Sequence, residues 1–135
     1  MGSEGENKER VRAFFEALSA GDAERLRELM LPDVRWVVPE GAAMLGGTHA
    51  GAEDVIAKMA AAVGQTFRPG SNRAQIRLML AEDEAVMAET RITATHTDGR
   101  RYENRYVFVF EFRDGRIAEL REHVDTVVAA RFFGV

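Results

Sequence analysis

Arg101 to Asp125 is the stretch that leaves this chain the fewest folding options. Two alternating runs are joined there by Arg113-Asp114-Gly115-Arg116. An Asp-Gly pair between alternating segments signals a hairpin, because both residues tolerate the positive φ angles of a tight turn. The first run puts Tyr106, Phe108, Phe110 and Phe112 on one face and Val107, Val109 and Glu111 on the other. In the second run Ala118, Leu120, Glu122 and Val124 share a face, with Glu119, Arg121 and His123 opposite. A period of two is that of a strand, and an apolar sheet face must be buried against other elements. One carboxylate, Glu122, lies among the apolar residues of such a face and is the first sign of chemistry.

The rest of the chain supplies the cover. Val11, Phe14, Phe15 and Leu18 recur at helical spacing, and Gly21 follows as a helix-ending glycine. Asp22 caps a second helix with Leu26, Leu29 and Met30 as its buried stripe, and Pro32 stops it. Val34 to Val38 reads as a short strand closed by Pro39, and Glu40 to Gly51 as a loop. A third helix opens at Ala52-Glu53-Asp54, turns Val55, Ile56, Met59 and Val63 inward and ends at Gly64. A second loop spans Phe67 to Asn72. From there the period is two: strands are expected over Ala74 to Leu80, Ala85 to His96, Tyr102 to Phe112 and Ile117 to Val124. Asp125-Thr126 caps a short last helix, Val127 to Phe132. Residues 1–8 are expected to be a flexible N-terminus that includes a cloning remnant, and residues 9–135 a single domain.

Helices followed by a long antiparallel meander form an α+β order, with a curved sheet covered on one face and an apolar cavity between. Composition removes other classes. The 135 residues carry a formal net charge of −4 with dispersed Arg and Lys, so no basic surface invites nucleic acid. There is no cysteine, hence no disulfide framework or thiol nucleophile, which suits a reducing cytoplasm. No apolar run is long enough to span a bilayer. His49, His96 and His123 lack metal-ligand spacing, so no metal is expected. A phosphate-cradling glycine loop and a Gly-x-Ser-x-Gly elbow are also missing, and no cofactor is expected.

Three segments carry a resemblance to a known family: Val11 to Asp22 with its Ala20-Gly21-Asp22 end, the loop Gly46-Gly47-Thr48-His49-Ala50-Gly51, and the closing hairpin Phe110 to Ile117 with Arg121 to Asp125. They resemble the SnoaL-like branch of the NTF2-like superfamily. That resemblance implies a cone-shaped α+β barrel, with a curved, mostly antiparallel sheet covered by three N-terminal helices. The fold hosts isomerases, epoxide hydrolases, cyclases and non-catalytic binding proteins, so it guides architecture more than activity. Against a ketosteroid isomerase-like pattern, the oxyanion-hole tyrosine falls on Phe14 and the general-base aspartate on Val38, neither of which exchanges protons. Against a limonene-epoxide-hydrolase-like pattern, the charged positions fall on Glu89, Arg91 and Glu122, with the strand charges reversed. The positions that would hold the nucleophilic water fall near Arg35 and Val37, a poor match. A SnoaL-like cyclase needs little more than one carboxylate facing an apolar pocket, a place Glu122 can fill.

Glu89 and Arg91 share a strand face with Met87 and Thr93, so two readings stand. Either they converge with Glu122 on the cavity, with Arg91 steadying a reacting oxygen, or they are solvent-facing cross-strand partners. Phe14, Leu18, Trp36 and Val38 are expected to line the pocket together with Met59 and Leu120, with His49 at its mouth. The functional expectation is a small hydrophobic molecule as ligand, acid/base catalysis without a cofactor, and a homodimer. Non-catalytic ligand binding or dimeric assembly is the alternative.

Overall fold

The computed structural model describes residues 3–134. In chain order it contains α1 (Glu4–Ala20), α2 (Ala23–Leu29), β1 (Met30–Val38), β2 (Gly47–Ala50), α3 (Ala52–Ala61), β3 (Arg73–Glu82), β4 (Ala85–Thr95), β5 (Arg101–Arg113), β6 (Arg116–Val124) and α4 (Thr126–Phe133). A π-helical turn, Ala62–Thr66, extends α3. The strands form one six-stranded sheet in the order β2-β1-β6-β5-β4-β3. Only β1 and β6 run parallel among these neighbours; the others are antiparallel. This is an α+β architecture, a curved, mostly antiparallel sheet with helices packed against one face. Among the described residues, no helix is long and apolar enough to cross a membrane.

The core forms where the inner face of β5 meets α1. Phe108, Phe110 and Phe112 are buried. Phe14 meets Phe110 edge to face at 5.4 Å, and Phe15 meets Phe108 at 5.3 Å. Such pairs add to the roughly 1.5–3 kcal/mol that burying each large side chain contributes. The outer face of the sheet is barer: Leu78, Leu80 and Met87 are exposed.

Helix α1 starts earlier than expected. Ser3 forms a capping box with Glu6: its hydroxyl accepts from the Glu6 N–H at 3.0 Å, and its own N–H donates to the Glu6 carboxylate at 3.2 Å. Glu4 and Glu6 lie at the positive end of the helix dipole. Asn7 falls on the face of Val11 and Phe14 and is fully buried, so residues 4–8 belong to α1. Met1 and Gly2 lie outside the described residues.

Two other expectations are corrected. Met30 does not belong to the second helix, and Pro32 is not what stops it, since the helix ends at Leu29 and both residues lie in β1. Pro32 is tolerated because the β1–β6 pairing skips from Met30 to Arg35, and pairing with β2 begins only at Arg35, so its missing N–H costs no ladder bond. The loop after β1 contains a strand, β2, whose short polar sequence takes its shape from pairing with Trp36 and its neighbours.

A β-bulge sets the phase of β6. Phe112 faces Ile117 and Glu111 faces Glu119, which leaves Ala118 as the extra residue. Ile117 and Leu120 therefore both point into the core although three positions separate them, whereas strict alternation had put Ala118 there. Had the ladder run unbroken from the turn, Leu120 and Glu122 would face outward. The turn itself is a Gly site: Gly115 has φ +75°, and an added Cβ would meet the Arg10 guanidinium at 3.1 Å.

Because Phe110 is fully buried against both α1 phenylalanines, Phe110→Ala is expected to cost about 3–5 kcal/mol, measured as a lower urea midpoint at unchanged slope.

Candidate functional site

The concave face is not fully packed. Between α1, α3, the loop after β1 and the inner faces of β1, β5 and β6 lies a cavity of about 160 Å³. Its walls are mostly apolar, including Phe14, Leu18, Val38, Met59, Phe108 and Leu120. Met44, which is 43% exposed, also lines it and marks its rim. An engineered apolar cavity of about 150 Å³ holds benzene, so this one suits a ligand of about one ring.

Polar groups interrupt the wall. Glu122 enters on β6, placed inside by the bulge at Ala118. Its Oε1 accepts from Trp36 Nε1 at 2.8 Å. Burial favours the neutral acid and pushes its pKa up to about 7, with the indole hydrogen bond working against that rise. A carboxyl titrating there holds comparable acid and base populations at neutral pH, the condition for proton transfer in either direction. No ion pair ties it to another described residue.

A second polar group lies on the neighbouring strand. The Tyr102 and Tyr106 hydroxyls are 2.8 Å apart, and Asn104 Nδ2 donates to the Tyr102 hydroxyl at 2.9 Å and to the Asp125 carbonyl at 3.0 Å. Burial raises the pKa of both tyrosines, so both are neutral phenols at physiological pH. Tyr102 packs against Phe67, Phe132 and Phe133, an aromatic cluster that joins α4 to the sheet. Asn72, only 7% exposed, also lines the cavity, and its side-chain amide makes no hydrogen bond to a described residue.

The structure sorts the expected site residues into three groups. Phe14, Leu18, Trp36, Val38, Met59, Leu120 and Glu122 line the cavity. Glu89 and Arg91 do not. On β4 the buried inner residues are Val86, Ala88, Thr90, Ile92 and Ala94, so the alternate positions 89 and 91 point outward. There Arg91 pairs with Glu103 of β5. His49 is not on the wall either. It lies beside Trp36, ring centroids 5.2 Å apart, because β2 forms and pairs with β1. Its Nε2 donates to the Leu45 carbonyl at 2.7 Å and its Nδ1 accepts from Lys58 Nζ at 2.9 Å, so both ring nitrogens are occupied. It braces the rim loop through Leu45.

The sequence reading gives no site role to Asn72, Tyr102, Asn104 or Tyr106. The signal for two of them was available: Tyr102 and Asn104 continue the inner row of Tyr106, Phe108 and Phe110 by alternation. Among the described residues, no three His, Asp or Glu side chains gather into a metal-binding group.

The SnoaL-like domain profile matches residues 11–120. The chain belongs to the SnoaL-like family. No protein of curated function matches this SnoaL-like chain in sequence. Among solved structures, it is similar to Bal32a from a soil-derived mobile gene cassette, with 31% identity, a TM-score of 0.83, and 96% of this chain and 97% of that one covered. An NTF2-like protein of unknown function from Burkholderia pseudomallei shares 27% identity at TM-score 0.84, covering 96% and 98%. TerC, crystallised with polyporic acid, shares 26% at TM-score 0.83, covering 96% and 99%.

The Glu122 shift makes a pH prediction. In the unfolded chain this glutamate ionises in the ordinary carboxylate range, while the folded protein keeps the proton up to about pH 7. The unfolded state thus binds fewer protons in that window, and stability falls as pH rises through it. Glu122→Gln is expected to remove this slope and to gain at most about 3 kcal/mol at about pH 8, read by urea denaturation across pH.

Proposed function

We propose that this SnoaL-like protein is an acid/base enzyme acting on a small, mostly apolar molecule held in the cavity, with Glu122 as the group that carries the proton. The observation behind this reading is a carboxyl displaced into an apolar pocket, held by the single indole donor of Trp36 and titrating near neutrality. Isomerase, hydrolase and cyclase chemistries all need such a group. TerC co-crystallises with polyporic acid, which supports reading the cavity as a small-molecule site. Once a turned-over substrate is in hand, Glu122→Gln is expected to lower kcat by a factor of about 10²–10⁴ while leaving the fold intact. Near-normal turnover in that variant would remove Glu122 from the mechanism.

Two observations favour binding without catalysis: among the described residues that line the cavity no cation or second carboxylate accompanies Glu122, and Phe14 and Val38 stand where proton-handling residues would be expected. That reading predicts saturable ligand binding with no chemical change to any bound compound, as followed by mass spectrometry of the recovered ligand.

The proposal extends to a homodimer through the outer face of the sheet. Leu80 faces Met87, Met87 faces Val109, and Leu78 lies one strand position along the same face. The ion pairs Arg91–Glu103 and Arg121–Glu111 lie around this patch, an arrangement that a twofold copy can meet with its own equivalent. Light scattering is expected to give a dimer for the native chain and a monomer for Leu80→Asp; a native monomer sinks the idea.

A further inference from the structure

The Tyr102–Tyr106 pair holds one hydroxyl hydrogen more than its contacts use. Two hydroxyls carry two hydrogens. The Tyr102 oxygen already accepts from Asn104, and the contact between the two tyrosines uses one hydroxyl hydrogen. The second hydrogen has no acceptor among the described residues. Tyr102 is 3% exposed and its oxygen has Asn104 on one side and Tyr106 on the other. Either hydroxyl can donate across that contact; donation from Asn104 to Tyr102 to Tyr106 leaves the free hydrogen on Tyr106, whose oxygen meets Tyr102 alone. The Tyr106 ring lies flat on Phe108, ring centroids 5.4 Å apart, and its strand is tied by the Thr90 hydroxyl donating to the Tyr106 carbonyl at 3.2 Å. Both tyrosines line the cavity.

We infer that Tyr106 is a ligand-binding residue whose hydroxyl donates to an oxygen of the bound molecule, with Tyr102 and Asn104 as the positioning residues that aim it. The ligand class is a single-ring or similarly small apolar compound that carries one accepting oxygen, a carbonyl or an ether. This rests on the reading of the cavity as a small-molecule site. A buried donor left unsatisfied costs free energy, so a ligand that lacks the oxygen is disfavoured even when its shape is the same. Each link in the chain polarises the next, which makes the terminal hydroxyl a better donor than a lone phenol. Trp36 is not an alternative donor, because its N–H is taken by Glu122.

Acetophenone and α-methylstyrene test this, since they differ in shape only by a carbonyl oxygen against a methylene. Calorimetric titration of the full chain above the Glu122 titration range, where that carboxyl no longer donates, is expected to show acetophenone binding about tenfold more tightly or better. Tyr106→Phe should bring the ratio to near one without weakening α-methylstyrene, and Asn104→Ala should narrow it in the same way. Asn72→Ala should keep it. In the native protein, the carbonyl stretch of bound acetophenone should lie below its position in hexane, a reading that needs no variant to fold. A native ratio near one, failure of acetophenone to bind, a carbonyl band at the hexane position, or loss of the preference in Asn72→Ala while Tyr106→Phe retains it would each overturn the assignment. Because the readout is a binding preference and not turnover, these failures leave the acid/base role of Glu122 standing, and a catalytically irrelevant Glu122 leaves the preference intact.

Discussion

Everything in this molecule depends on the edge-to-face packing of Phe14 and Phe15 of α1 against Phe108 and Phe110 of β5. That contact holds the helix across the concave face of the sheet. A helix laid on a curved sheet closes the middle and leaves the ends to be filled, and here the two ends are filled differently. Toward the Asp114-Gly115 turn the aromatic row continues through Phe112 with Ile117 beneath it, and the interior is dense. Toward α4 the row changes to Tyr106, Asn104 and Tyr102, and the space between α1, α3 and the sheet stays open. The cavity is thus the place where aromatic packing gives way to hydroxyl and amide groups on the same strand.

Within that space the polar groups are divided by chemistry. Glu122 and Trp36 form an arm that can take or return a proton. The tyrosines and Asn104 form an arm of neutral donors, and the burial that raises the carboxyl moves the two phenols further from ionisation. The two arms sit on adjacent strands, with Phe108 opposite Glu122 and Tyr106 opposite Val124. Diagonal neighbours on one sheet face lie within reach of a single small molecule. Nothing in the arrangement demands an ion pair, and the charged residues that might have supplied one are on the other side of the sheet.

How far the amino-acid sequence carried this picture depended on whether the relevant signal was local. The hairpins, the first helix and the apolar setting of Glu122 follow from alternation, helical spacing and the Asp-Gly turn, all short-range. The parity of Glu89 and Arg91 was also readable as a shared face. Which face it was depended on noticing that Val86, Ala88, Thr90, Ile92 and Ala94 form the smaller, more apolar set. Strand β2 was invisible because its pairing with β1, and not its composition, makes it a strand. The start of α1 does have a local mark, because Ser3 and Glu6 have the spacing of a capping box. The bulge at Ala118 has no strong sequence mark, yet it decides which way Glu122 points.

The hydrogen bond from Trp36 to Glu122 has one more consequence. Trp36 is the only tryptophan in the chain, and its indole N–H is attached to the one carboxyl in the cavity that changes protonation near neutrality. The protein therefore carries its own optical reporter, a single chromophore in contact with both the charge state of Glu122 and any molecule that enters the cavity.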